Sequence, residues 1–553
     1  MRCQTLANLC TFLALAGQVH SQTWLTYDIN LKSRIPASSG IEPGTEGQGG
    51  IAWTQRRFVQ ANGRFFFVAK GPLGAELYSS SGAPGSTRLV KDICPGAASS
   101  DPMHLQAAGQ LVYFMASNGT HGRELWVSDG SETGTRLVKD IEPGIASSSS
   151  SELCAVGQKL IFAVTTRSGA TELWISDGSS VGTQRLKVIH PSAGGKLRHT
   201  ASFGSLVVFA AEDSTHGEEP WISDGTASGT MLLKECMPGS LGGSPTGFHD
   251  LGNGLCLFSA LAGGAGRELW VTDGTSAGTT LLKDIRPGSR AGLAFSDTLC
   301  DGAVINSRLF FPADDGVNGW ALWVSDGSAA GTQMLRAFPL GSSTRQSLGS
   351  IYPAAGRAWF GAEEPNLGQQ PWVSDGTTSG TVRLGLTNAA GPSDPWGFAS
   401  VGSGSLVVFS ARGGTSLGRE LWITDGTANA ATLLKDIHPG ATSSDARYLT
   451  PLANGQVAFR AANPDVGSEL WKTDGTSSGT QVLGNIAPEM GYGSYPKNML
   501  RFWERTLFSA TDGYSGREPW AFDFTPRNLQ QLMDIRVGSS SSYFDYPVRL
   551  AGR

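Results

Sequence analysis

The residues best suited to chemistry in this chain recur with a fixed spacing, and the first of them is a glutamate two positions before a tryptophan. It stands as Glu124, Glu172, Glu219, Glu268, Glu420, Glu469 and Glu518. On a strand, residues i and i+2 share a face, so each carboxylate points the same way as its tryptophan. A carboxylate repeated in this setting serves either as an acid or base or as a partner for buried donors. The second use fits a chain that repeats it in copy after copy, with a backbone amide or the lysines Lys139, Lys234, Lys283 and Lys435 as partner, because a charge between sheets needs one. An aspartate follows three residues after the tryptophan and before glycine in eight copies, as in Asp129, Asp273 and Asp474. Asp-Gly followed by Ser or Thr is turn chemistry, since aspartate bonds its own backbone and glycine accepts positive φ.

A second set lies ahead of the tryptophan and varies from copy to copy. Asn118, Asp213, Asp315, Glu364, Asn463 and Asp512 stand eight residues before it, with glycine usually four before it. Oxygen-bearing side chains in a glycine loop suit Ca²⁺, yet six or more ligands are needed and each loop offers two or three. His121 and His216 have no second histidine at metal-ligand spacing. The expectation is therefore no metal and no cofactor. Recognition is expected from variable loop residues, namely His121, Arg123, Asp213, His216, Asp315, Asn318 and Tyr514. No nucleophile elbow, zinc-protease helix or phosphate loop interrupts the repeats. The leading expectation is thus not an enzyme, although a propeller hydrolase that gathers single residues from several blades would leave no such trace.

The elements that must position these residues are strands. The marker tryptophans, Trp126 to Trp520, recur at intervals of 47 to 53 residues, and Tyr78 marks a degraded first copy. Within a unit, a first strand such as Thr246–Leu251 precedes an apolar run such as Leu206–Phe209 or Leu406–Phe409, then Glu-Leu-Trp, then Leu-Leu-Lys. Apolar runs of this length fit strands buried on both faces, and Pro-Gly closes each unit. Four short antiparallel strands per repeat of this period predict an all-β fold, a β-propeller of about ten four-stranded units. Units 1–5 occupy 22–301 and units 6–10 occupy 302–553. One large ring and two five-bladed rings both remain open, and the widest spacing, between Trp270 and Trp323, leans toward two. Trp24–Asn30 and Tyr546–Leu550 read as extra strands through which the termini share a blade.

With 74 glycines, 40% apolar residues and a formal charge of −5, the 553-residue chain is a turn-rich globular one without the basic footprint of a nucleic-acid binder. Residues 1–21 read as a signal peptide, with an apolar stretch from Leu6 to Ala16 too short to span a bilayer. The expected location is secreted or at the cell surface, with no membrane span. Beyond that leader, Cys94, Cys154, Cys236, Cys256 and Cys300 form an odd set without paired spacing and are expected as small buried hydrophobes.

The units, for example Glu124-Leu125-Trp126-Val127-Ser128-Asp129-Gly130 through Lys139-Asp140-Ile141-Glu142-Pro143-Gly144, resemble the ELWxxDGT repeat of exported bacterial proteins, myxobacterial ones among them. The resemblance covers nearly the whole mature chain and implies no single activity. Ala321 and Gln370 depart from it by replacing the glutamate, and Asn429–Ala431 by losing the Gly-Thr. The functional expectation is a multivalent binding or adhesion module for a glycan or a cell-surface or protein partner. The alternatives are a structural surface or matrix protein, or a propeller hydrolase.

Overall fold

The computed structural model describes residues 58–542, apart from 294–301, 339–347, 386–390, 488–492, 524–528, 536–540 and a few isolated positions. The signal peptide, the strand expected at 24–30, the last strand-like piece at 546–550 and Cys300 lie outside the described residues. What is described is ten four-stranded antiparallel sheets, each made of four strands consecutive in sequence, with no helix among the described residues. The fold is a ten-bladed β-propeller. We number the blades 1 to 10 along the chain and their strands a to d.

Blade 5 shows how the sequence builds one. Strand a is Thr246–Asp250, b is Cys256–Ala262, c is Gly266–Thr272 and d is Thr280–Lys283. Strands b and c are buried almost throughout, since their two faces meet the blades before and after. Phe258 of b lies directly opposite Trp270 of c, and their rings stack at 6.2 Å. The same pair recurs as Phe209–Trp221 at 6.4 Å and Phe459–Trp471 at 6.5 Å. Direct cross-strand neighbours share a face, so the pair forms one aromatic plate per blade. The first strands of neighbouring blades pack against one another, which places strand a innermost and strand d at the rim.

Ring closure is settled by the packing between neighbours. A buried apolar cluster spans every junction from blade 1–2, where Phe66 and Leu77 meet Phe114 and Trp126, to blade 9–10, where Leu470 meets Phe508. A further cluster joins the last blade to the first, with Leu500, Leu507, Ala521 and Ile535 against Phe65, Phe67 and Tyr78. A hydrogen bond repeats the same logic. The amide of Ser117 at the end of strand b in blade 2 donates to the carbonyl of Ser100 in the preceding link. The amide of Lys70 in blade 1 donates likewise to Ser542, in the link that leaves blade 10, at 2.7 Å. The lean toward two five-bladed rings is therefore corrected: the wide spacing after Trp270 is an insertion within one continuous ring.

Candidate functional site

The repeated carboxylates sit where each blade hands over to the next. Glu124 is fully buried on strand c, where its Oε2 accepts from the amide of Ile141 at 3.1 Å and from Ser148 Oγ at 2.6 Å, and its Oε1 accepts from the Ser148 amide at 3.0 Å. Glu268 takes the amides of Ile285 and Gly292 at 2.7 and 2.8 Å, and Glu420 those of Ile437 and Ser444, both at 2.8 Å. Glu518 does so with Ile535 and Ser542 at 3.1 and 3.0 Å. Each of these four glutamates thus clasps the end of its own blade and the start of the link out of it. Burial pushes Glu268, Glu420 and Glu518 up to about 7 against these stabilising hydrogen bonds. Of the two partners considered from sequence, the backbone amide is the one used. The lysine reaches across to the next blade, where Lys139 Nζ donates to Thr183 O at 3.0 Å and lies 5.8 Å from the centre of the Trp174 ring.

The Asp-Gly turns close on themselves. In blade 5 Asp273 Oδ1 accepts from Thr275 N at 2.8 Å and Thr275 Oγ1 at 2.7 Å, while Gly274 takes a φ of 90°. The hydroxyls of Thr272 and Thr279, seven residues apart, bond at 2.7 Å beneath the turn. Ser128 with Thr135 and Ser325 with Thr332 do the same. The hydrogen bonds from the Thr275 hydroxyl and amide hold Asp273 below the usual carboxylate range. Sequence reading assigned the turn but missed the hydroxyl pair, whose signal was the constant Ser/Thr before each Asp.

The variable loops between strands b and c lie beside the outgoing links, as the bonds from the Gly122 amide to Gly144 O and from Gly217 to Gly239 O show. Asp213 accepts from the amides of Thr215 and His216 at 2.8 and 2.6 Å, and its Oδ2 meets His216 Nδ1 at 2.9 Å. That hydrogen bond raises the His216 pKa. Asp315 accepts from the Asn318 amide at 2.7 Å and from Asn318 Nδ2 at 2.6 Å. His121 is held by Asn118, whose Oδ1 accepts from its amide at 2.8 Å. Arg123 Nη1 donates to Asp101 O at 2.7 Å, and Tyr514 is exposed above Asp512, whose Oδ1 accepts from its amide at 2.8 Å. The structure thus joins Asp213 to His216 and Asp315 to Asn318, each within one loop. Among the described residues no group of three or more His, Cys, Asp or Glu is placed to hold a metal.

A set that sequence reading did not find surrounds the inner strands. Strand a carries a bulge in blades 2, 4, 5, 8, 9 and 10, with a residue of positive φ at or beside it: His104, His199, Gly247, Gly397, Tyr448 and Asn498, at 55 to 68°. Bulges re-aim side chains. Trp396 and Arg447 start strand a in blades 8 and 9, and Arg419, at the start of strand c of blade 8, joins Arg447 over the Trp396 ring, the two lying 5.1 and 4.4 Å from its centre. Asp394 pairs with Arg412 at 3.4 Å and Asp445 with Arg447 at 2.7 Å. Burial lowers Arg419 to about 10. No sequence signal marks this cluster, because its members come from different units.

Fold and site together define a closed β-propeller whose repeated ionisable groups hold its own backbone. No family model and no characterised protein matches the sequence. Among solved structures the chain is similar to the tricorn protease, at 10% identity and a TM-score of 0.30, over 88% of this chain and 49% of that one. It is also similar to a puromycin hydrolase, at 12% and 0.30 over 74% and 59%, and to the propeller domain of a trilobed protease from Pyrococcus furiosus, at 11% and 0.28 over 60% and 97%. The chain spans about half to three-fifths of the first two proteins, and the likeness is one of propeller architecture. These three are named as proteases and a hydrolase, and the expectation of a multivalent adhesion or glycan-binding module finds no counterpart among them. That reading is withdrawn.

Proposed function

We propose that the chain is a structural component, a rigid preformed ring for an exported or surface setting. One observation supports this reading above the others: the ionisable groups that recur from blade to blade are spent on the ring's own backbone. The clasping glutamates hold links, the turn aspartates hold turns, and the lysines hold the next blade. Carboxylates engaged by two or three donors and sealed from solvent are poorly disposed to exchange protons with a substrate.

A propeller hydrolase is the second reading, favoured by the bulged inner strands, on which His104, His199, His249 and Tyr448 lie. One experiment separates the two. Purified protein is assayed against a panel of ester, peptide and amide substrates beside a His104→Ala/His199→Ala double variant. The structural reading expects no turnover above the heat-denatured control. Turnover that disappears in the double variant would contradict it and establish the hydrolase.

A further inference from the structure

Between the outer strands of blades 6 and 7 the rim opens into a groove of about 450 Å³, lined among others by Arg336, Glu364, Trp372 and Arg383. Arg336, on strand d of blade 6, stands where other blades carry lysine, and its guanidinium lies 5.0 Å from the centre of the Trp372 ring. Arg383, on strand d of blade 7, pairs directly with Trp372, so both side chains leave the sheet on the same face. Neither arginine makes a hydrogen bond or ion pair among the described residues, and the buried Trp372 Nε1 has no acceptor among them.

Blade 3 shows what such a set does. There too an arginine, Arg185, pairs with the tryptophan, Trp174, and a cation, Lys139, lies over the ring. The motif glutamate of that blade does not clasp its link. Glu172 Oε1 accepts from Arg185 Nη1 at 2.7 Å and its Oε2 accepts from Trp174 Nε1 at 2.9 Å, so one carboxylate bridges guanidinium and indole. In blade 7 the arginine, the indole and the overlying cation are all present, but the motif position is Gln370. Its amide is turned away, with Nε2 donating to Leu367 O and Gly391 O at 2.9 and 3.2 Å and Oε1 accepting from Ser393 Oγ at 3.3 Å. Orphaned indole N–H groups occur on the motif tryptophans of other blades, but there leucine, methionine or valine stands opposite the tryptophan; the orphaned indole of Trp396 belongs to an inner strand, opposite Ser410.

We propose that this groove binds a carboxylate from outside the chain, held by Arg383 and the Trp372 indole N–H in the manner of Glu172 in blade 3, with Arg336 supplying a second positive charge. A charge-assisted bond to guanidinium and a neutral bond to an indole donor suit a planar carboxylate. Glu364, which also lines the groove, selects against ligands with negative charge along their whole length.

The test is isothermal titration of the full chain with succinate and, separately, with a tripeptide bearing a free C-terminal carboxylate and with the same tripeptide amidated. Succinate should bind saturably in the millimolar range at one site per chain. The free peptide binding where its amide does not identifies a chain terminus as the source, and succinate alone identifies a small free acid. Arg383→Leu restores the residue found opposite Tyr78 and Trp126. It should fold with an unchanged Tm and weaken binding about tenfold or more. Gln370→Glu, which supplies the carboxylate internally, should lose the site as well. No saturable binding by the parent chain, or unchanged binding in either variant, would overturn the proposal.

Discussion

At the scale of single residues the ring uses two kinds of carboxylate in opposite ways, and its stability should follow pH accordingly. Glu268, Glu420 and Glu518 have folded values of about 7, above the ordinary 4.5, because burial penalises their charge. Between those values the folded chain holds protons that the unfolded chain has released, so this contribution is full below 4.5 and is lost as pH rises through about 7. The turn aspartates Asp129, Asp224 and Asp273 are held below their usual range by hydroxyl and amide donors. Their contribution is present above that range and is lost as pH falls through their folded values. Thermal unfolding followed from pH 4 to 9 should therefore give the highest Tm near about pH 5. The decline above pH 6 should flatten in a Glu268→Gln/Glu420→Gln variant; a Tm that rises from pH 5 to 8 in the parent chain would show that these carboxylates are ionised in the folded ring. Removing the carboxylate altogether is another matter. Glu268→Ala leaves the buried amide of Ile285 without its acceptor and that of Gly292 with the Arg267 carbonyl alone, at 3.2 Å, so about 1 to 3 kcal/mol for the unsatisfied group is expected, read as a drop in urea midpoint.

At the scale of the strand and turn, each blade is an aromatic plate between two others. Trp270 is buried against Phe258, and Trp270→Ala should cost about 3 to 5 kcal/mol in equilibrium unfolding. Asp273→Ala in the exposed turn of the same blade removes two hydrogen bonds that water can replace, so about 1 kcal/mol is expected. Comparable losses for the two would show that the aromatic plate is not the main source of blade stability. Strand identities and the turn were legible in the sequence, since apolar runs, Glu-Leu-Trp and Asp-Gly-Thr are local patterns with local causes. The glutamate's partners were half legible: burial demanded a donor, but the choice between amide and lysine depends on where the chain returns 17 and 24 residues later. The clusters at Trp396 and Trp372 were not legible. They depend on which residues of different units face each other across a ladder or a blade junction.

At the scale of the whole molecule the last blade meets the first through the same devices that join the others. Glu518 clasps the final link, and that link's carbonyl accepts from Lys70. Glu518→Ala should therefore cost about as much as Glu268→Ala if the ring is closed, whereas in an open array a terminal link carries less. The choice between one ring and two was beyond the sequence because an insertion near the middle of the chain looks the same whether it separates two rings or bulges from one. Ten blades form one closed ring, and every junction described above depends on it. Averaged single-particle electron micrographs viewed along the axis test it most directly. The structure predicts one annulus of ten radial spokes around a single channel; two five-spoked rings, or an open arc with a gap between the first and last blades, would contradict it.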